Sequence, residues 1–170
     1  MTDLIIQNAH LATHKTLVNI LITDQHIARI EEIADDNANS QDSQSNPAAA
    51  SYDAQGNFVC GGFYDSHIHL DKACILDRCT IEQENLEEAV EETGKAKEAF
   101  TEADVYARAS RVIEIARKKG TVGLRTFVET DQKTELRSFE SIKRARDTYA
   151  FAIDIEICAF AQSGLTRACP

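Results

Sequence analysis

Phe63-Tyr64-Asp65-Ser66-His67-Ile68-His69-Leu70-Asp71 is the stretch around which the chain is organised. Gly61-Gly62 bounds it on the N-terminal side, and two histidines one residue apart stand near its end. Side chains on a β-strand alternate between faces, so positions i and i+2 point the same way. His67 and His69 therefore project together from one face, where two imidazoles can share one metal ion. Asp65 has the same parity and is expected beside them as a supporting hydrogen-bond partner. An H-x-H alone is a weak signal, and a purely structural role for the pair is the alternative.

Downstream the hydrophobic period changes. Leu86, Ala89, Val90, Thr93, Ala96 and Phe100 recur at spacings of three and four, which predicts an amphipathic helix. Its acidic residues Glu87, Glu88, Glu91 and Glu92 read as a solvated face. Thr101-Glu-Ala-Asp104 resembles a capping box and starts a second helix carrying Val105, Ala109, Val112 and Ile113. Arg117-Lys118-Lys119 suit its negative end, and Gly120 suits its stop. Residues 121–129 predict a strand, 135–150 a helix and 152–160 another strand. From residue 63 the order is β–α–α–β–α–β, which implies an α/β fold with parallel pairing and right-handed crossovers. Arg125, Phe127 and Glu129 share one face of the second of these strands. Asp71 and Lys72 are expected at the loop mouth, touching substrate or forming a surface ion pair.

Upstream, residues 4–8, 17–23 and 26–30 predict three short strands, with Asp24-Gln25 as a turn. They make a small antiparallel sheet. Residues 34–51 contain no large apolar side chain and read as a flexible surface loop. A turn at Gln55-Gly56-Asn57 and a strand running toward Gly61 follow. His10, His14 and His26 lack paired spacing and read as surface or edge residues.

The chain has 170 residues, 43% of them hydrophobic, a net charge of −10 and a pI near 4.9. The negative charge argues against nucleic acid and anionic membranes as partners. No apolar run is long enough to cross a bilayer, and Met1-Thr2-Asp3-Leu4 does not begin a signal peptide, so the expected location is cytoplasmic. Five cysteines, an odd number without a C-x-x-C, then read as reduced thiols. Cys74, close after the histidines, is the one weak candidate for a metal or nucleophilic role.

Three segments together resemble a known family. They are Gly-Gly-Phe-Tyr-Asp-Ser-His-Ile-His-Leu-Asp-Lys at 61–72, Leu-Arg-Thr-Phe-Val-Glu at 124–129, and Ile-Asp-Ile-Glu-Ile-Cys-Ala-Phe-Ala-Gln-Ser-Gly at 153–164. The chain resembles the N-terminal portion of a cytosine-deaminase-like member of the amidohydrolase superfamily. That resemblance implies an incomplete (β/α)8 (TIM) barrel with about three barrel strands, preceded by a small N-terminal β-sheet of the family's composite sandwich. The division expected is residues 1–60 for the β-rich segment and 61–170 for the first barrel units. It also implies a metal-dependent hydrolase acting on non-peptide C–N bonds of cyclic amidines, a deaminase of cytosine-like substrates. The cofactor implied is a divalent ion, Fe2+ or Zn2+, with His67 and His69 as its first two ligands. Gln162 matches the glutamine that hydrogen-bonds the pyrimidine edge.

The chain departs from the family pattern in places. Gly61 stands where Pro is usual, and Phe127 where His is usual, so a polar role at the mouth of that strand is expected to be lost. No histidine follows His69. The later ligands and the proton-shuttling glutamate would lie past Pro170. The expectation is a fragment, from a frameshift, premature stop or split gene, which binds metal weakly and is inactive alone. Its partners would be a small nitrogen heterocycle once the site is completed, and a complementing chain or a second copy. A non-catalytic α/β interaction module is the alternative.

Overall fold

The computed structural model describes residues 2–33, 50–131 and 134–161. They fall into two compact units, Met1–Gly61 and Gly62–Pro170.

The first unit is a four-stranded sheet in the order β3-β2-β1-β4. Its strands are β1 (Leu4–Ala9), β2 (Val18–Thr23), β3 (His26–Glu32) and β4 (Ala50–Asp53). β1–β2 and β2–β3 are antiparallel. Asp24 and Gln25 join β2 to β3 with both φ angles positive, 50° and 64°. That twist matches the flanking strands, as in the primed hairpin turns, and the Asp24 N–H is held by the Asp3 carboxylate at 2.7 Å. Ala9, Val18, Ile20 and Ala54 form a small core.

Two expectations change here. The sheet is mixed, because β4 runs parallel to β1, pairing Leu4 with Ala50 through Gln7 with Asp53. The hairpin partner β2 occupies one edge of β1, and the chain returns to the other edge by a connection long enough for a crossover. The strand also precedes the Gln55-Gly56 turn, and beyond that turn the pairing among the described residues is a single bridge, His10 to Phe58. The predicted loop at 34–51 lies outside the described residues except for Ala50 and Ser51, which are in β4.

The second unit carries β5 (Phe63–Ile68), β6 (Thr121–Glu129) and β7 (Asp154–Phe160) in a parallel sheet of that order. Its helices are α1 (Leu86–Lys97), α2 (Glu102–Lys118) and α3 (Arg137–Tyr149). Val105, Ala109 and Ile113 of α2 and Ile142 and Ala145 of α3 bury against Leu124 and Val128 of β6. Thr101 caps α2 by accepting the Asp104 N–H at 3.2 Å. Gly120 ends it with φ +91°, a conformation that suits glycine, and its carbonyl accepts the Phe63 N–H at 2.8 Å. Ser141 Oγ lies 2.7 Å from the Arg137 carbonyl of its own helix and 3.1 Å from the Glu102 carbonyl at the start of α2, with one hydrogen to share between them.

α1 departs from its pattern. Leu86 and Val90 stay exposed, and only Ala96 and Phe100 of the predicted apolar face join the core. The acidic face is not simply solvated. Glu88 accepts the N–H groups of Glu82, Gln83 and Glu84, and Glu92 accepts that of Thr80. Backbone donors without a strand or helix partner need an acceptor, and these two carboxylates supply it. Among the described residues no helix is long and apolar enough to cross a membrane.

Removing the α2 cap by Thr101→Ala is expected to cost about 1 kcal/mol. Ile113→Ala, in the core, is expected to cost about 2–5 kcal/mol. Urea titration of both variants followed by far-UV circular dichroism checks that ranking.

Candidate metal centre

β5 ends at Ile68, one residue before the second histidine. His69 caps a 3-10 turn, Leu70–Lys72, with φ −117° and ψ 84°. The register slips just upstream. Asp65 pairs with Leu124 but Ile68 pairs with Thr126, so β5 carries one residue more than β6 over that interval. Asp65 stands at the start of that interval, and its carboxylate accepts the His67 backbone N–H at 3.1 Å, so it meets the histidine stretch through the backbone and not through a ring.

The two imidazoles do converge, with ring centroids 5.3 Å apart. Zinc–nitrogen bonds of about 2.0–2.1 Å at tetrahedral angles put two imidazole centres roughly 5 Å apart, so the pair fits one ion in spacing and donor type. His69 Nδ1 lies 3.0 Å from the Phe127 carbonyl. A carbonyl only accepts, so that nitrogen carries the hydrogen and Nε2 keeps its lone pair. Burial, followed by the Lys72 charge, lowers the His69 pKa and favours the neutral form that ligates. His67 stacks on the Phe127 ring at 4.4 Å and 26°. Among the described residues the Phe127 side chain itself makes no polar contact, and its backbone carbonyl supplies the hydrogen-bond acceptor at this position.

Beneath the pair, the loop after β5 is clasped to the end of β6. Thr126 Oγ1 accepts the Leu70 N–H at 3.1 Å, and the Asp71 carboxylate accepts the Glu129 N–H at 3.0 Å. Arg108 donates to the carbonyls of Asp71 and Ala73 at 2.9 and 2.7 Å. Lys72 and Lys97 meet opposite oxygens of the Glu129 carboxylate at 2.9 and 2.7 Å, and Lys97 also reaches Asp131 at 2.9 Å. Asp71 and Glu129 are each 1% exposed. Asp71 is therefore buried and not at the surface, whereas Lys72 is half-buried and pairs inward with Glu129 while bordering the cavity beside His69. Burial raises the Asp71 pKa. Burial opposes the charged forms of Lys97 and Asp131, but their partners outweigh it: Lys97 is raised by Glu129 and Asp131, and Asp131 is lowered by Thr134 and Lys97. Arg125, expected on the same face as Glu129, pairs with Glu156 at 2.8 Å nearer the other end of the strand.

A cavity of about 420 Å³ adjoins His69, walled by Lys72, Leu86, Val90 and Phe160. Cys74 lines a different cavity, of about 610 Å³, that neither histidine borders. Cys60, Cys74, Cys79 and Cys158 are free thiols. Gln162 and Cys169 lie outside the described residues. Among the described residues no three His, Cys, Asp or Glu side chains converge as a metal site. The residues that sequence reading missed are Lys97, Phe160 and the supporting role of Glu129. The acidic end of the predicted strand, followed by Asp131, was the available signal.

Lys97→Ala leaves Glu129 buried with one cation and is expected to cost about 3–5 kcal/mol in chemical denaturation. Asp131 has a folded pKa below its unfolded value of about 3.9, so its contribution is present above pH ~4 and is lost as pH falls through the folded value. Asp131→Asn should therefore lower the melting temperature at pH 7 yet fall less steeply than wild type when thermal melts are repeated down to pH 2.

No protein-family model matches the chain. N-isopropylammelide isopropyl amidohydrolase of Pseudomonas sp. (strain ADP) is 28% identical over 167 residues, 95% of this chain and 39% of that protein. The structure of 5-methylcytosine deaminase from Klebsiella pneumoniae liganded with phosphonocytosine superposes with a TM-score of 0.82 at 26% identity, covering 97% of this chain and 38% of the other. N-isopropylammelide isopropylaminohydrolase from Burkholderia multivorans gives a TM-score of 0.76 at 25% identity, covering 98% and 40%. The chain thus spans about two fifths of the length of these relatives. In sequence and in fold the chain is similar to the corresponding part of these amidohydrolase-superfamily deaminases and hydrolases.

Proposed function

We propose that this chain supplies the first three strands of a (β/α)8 barrel and two metal ligands of a hydrolase that cleaves exocyclic C–N bonds of cyclic amidines, with cytosine-like rings as the substrate class. The observation that carries this reading is the convergence of His67 and His69, with Nδ1 of His69 committed to the Phe127 carbonyl. A divalent ion there, Fe2+ or Zn2+, supplies Lewis acidity and lowers the pKa of water from about 15.7 towards 7. The chain's own residues hold and orient. His67 and His69 offer imidazole nitrogens. The Lys72–Glu129–Lys97 clasp fixes the turn that carries His69. Gln162, by its match to the family motif, offers an amide donor and acceptor to the ring edge. Leu86, Val90 and Phe160 form an apolar wall beside His69.

Two ligands are fewer than the three or four protein ligands of zinc sites, so the chain by itself is proposed to bind metal weakly and to lack turnover. Calorimetric titration of the purified chain with Zn2+ should give weak binding near one equivalent, abolished by His67→Ala and by His69→Ala, with no ammonia from cytosine. Metal retained stoichiometrically through dialysis together with ammonia release would overturn the expected inactivity. Uptake unchanged in both variants would overturn the ligand assignment.

The open sheet favours a complementing chain or a second copy as partner. β5 and β7 each have one paired edge among the described residues, and Phe63 and Tyr64 of β5 are exposed. Light scattering of the purified chain is expected to report species larger than 18.8 kDa. A single monomeric species across a hundredfold dilution series would count against a second copy.

A further inference from the structure

We infer that Phe127 is the positioning residue of the histidine pair, setting His67 with its ring and His69 with its backbone carbonyl. The inference rests on the ligand reading above and adds what holds the ligands in place. His67 is exposed, and among the described residues its ring receives no hydrogen bond. The ring contacts that limit it are the Phe127 stack, at 4.4 Å and 26°, and the edge of His69. An exposed imidazole without such a platform turns freely about its side-chain bonds.

The platform is built into the sheet. Phe127 lies on the central strand β6, in register with Cys158 of β7. Its ring meets Phe160 edge-on at 6.4 Å and 84°, and Phe160 in turn lies 5.4 Å from His69. The same residue therefore reaches both ligands by two separable routes. One runs through a side chain that substitution removes, and the other through a carbonyl that every residue has. Phenylalanine also brings no lone pair or ionisable group of its own, so it orients the imidazoles without competing for their ion or their protons.

Separability makes the test selective. In the metal-free, isotope-labelled full chain, nuclear Overhauser contacts should join the ring protons of His67 and Phe127, and the His67 signals should carry an aromatic ring-current shift. Phe127→Leu should abolish that shift and loosen the His67 ring, while ¹⁵N shifts keep His69 in its Nδ1–H tautomer. Zn2+ affinity should weaken roughly three- to tenfold, the range of an aromatic stack. Phe127→Tyr should restore both signals. Absence of the His67–Phe127 contacts in the wild-type chain overturns the inference without need of any variant. An unshifted His67 in Phe127→Leu, or equal disturbance of both histidines, overturns it as well. Failure of the wild-type chain to take up Zn2+ at all overturns the ligand reading instead, and the nuclear magnetic resonance comparison then decides the stack by itself.

Discussion

The Glu129 carboxylate, buried between the ammonium groups of Lys72 and Lys97, is the constraint on which the site depends. Taking one carboxylate and two ammonium groups out of water costs several kcal/mol per ion, and mutual attraction returns much of that only when the geometry is good. Once buried, the group tolerates few arrangements, because an unpaired charge there is far more costly than the pair is favourable. Glu129 ends β6, Lys72 ends the turn that follows His69, and Lys97 ends α1. One carboxylate therefore ties together three pieces of chain distant in sequence. The Asp71 carboxylate on the Glu129 N–H doubles the tie between the turn and the strand.

This clasp explains how a histidine beyond the end of a strand can be as well placed as one within it. His69 has left the β5 ladder, so strand geometry no longer sets its direction. Hydrogen bonds to β6 do so instead: Leu70 to Thr126, Asp71 to Glu129, and His69 itself to the Phe127 carbonyl. The extra residue between Asp65 and Ile68 falls in the stretch that carries His67. Bulges of this kind re-aim side chains at the rims of sheets, and here Asp65 supports the backbone of His67 and not its ring.

The aromatic groups complete the picture. Phe127, Phe160 and the two imidazoles contact one another over the same end of the sheet, and the Lys72 ammonium lies 5.1 Å over the Phe160 ring. Lys72 thereby joins the ionic layer beneath to the aromatic layer above. The exposed apolar residues of α1 border the same cavity, which is why that helix keeps Leu86 and Val90 out of the core. An amphipathic period says that a helix has an apolar face, but not that the face is covered by the core of its own unit.

Much was legible in the residues alone. The H-x-H stretch, the Thr101 cap, the Gly120 stop and the alternation of strands with helices are local signals, governed by backbone geometry within a few residues. They were enough to place β5, β6, β7 and the three helices, and to single out His67 and His69 as candidates. The β4 pairing was not legible, since a parallel partner is chosen by which edge of β1 is free. Nor were the inward turn of Asp71 and Lys72, the work of Glu88 and Glu92 as backbone acceptors, or the two-part role of Phe127. Each depends on groups far apart in sequence meeting in space, where the cost of an unpaired buried charge or an unmet N–H decides the outcome. The sequence by itself determined which residues can ligate and on which elements they stand. Only the tertiary structure decided what holds them, because burial and partner geometry set the direction of a side chain that strand parity no longer controls.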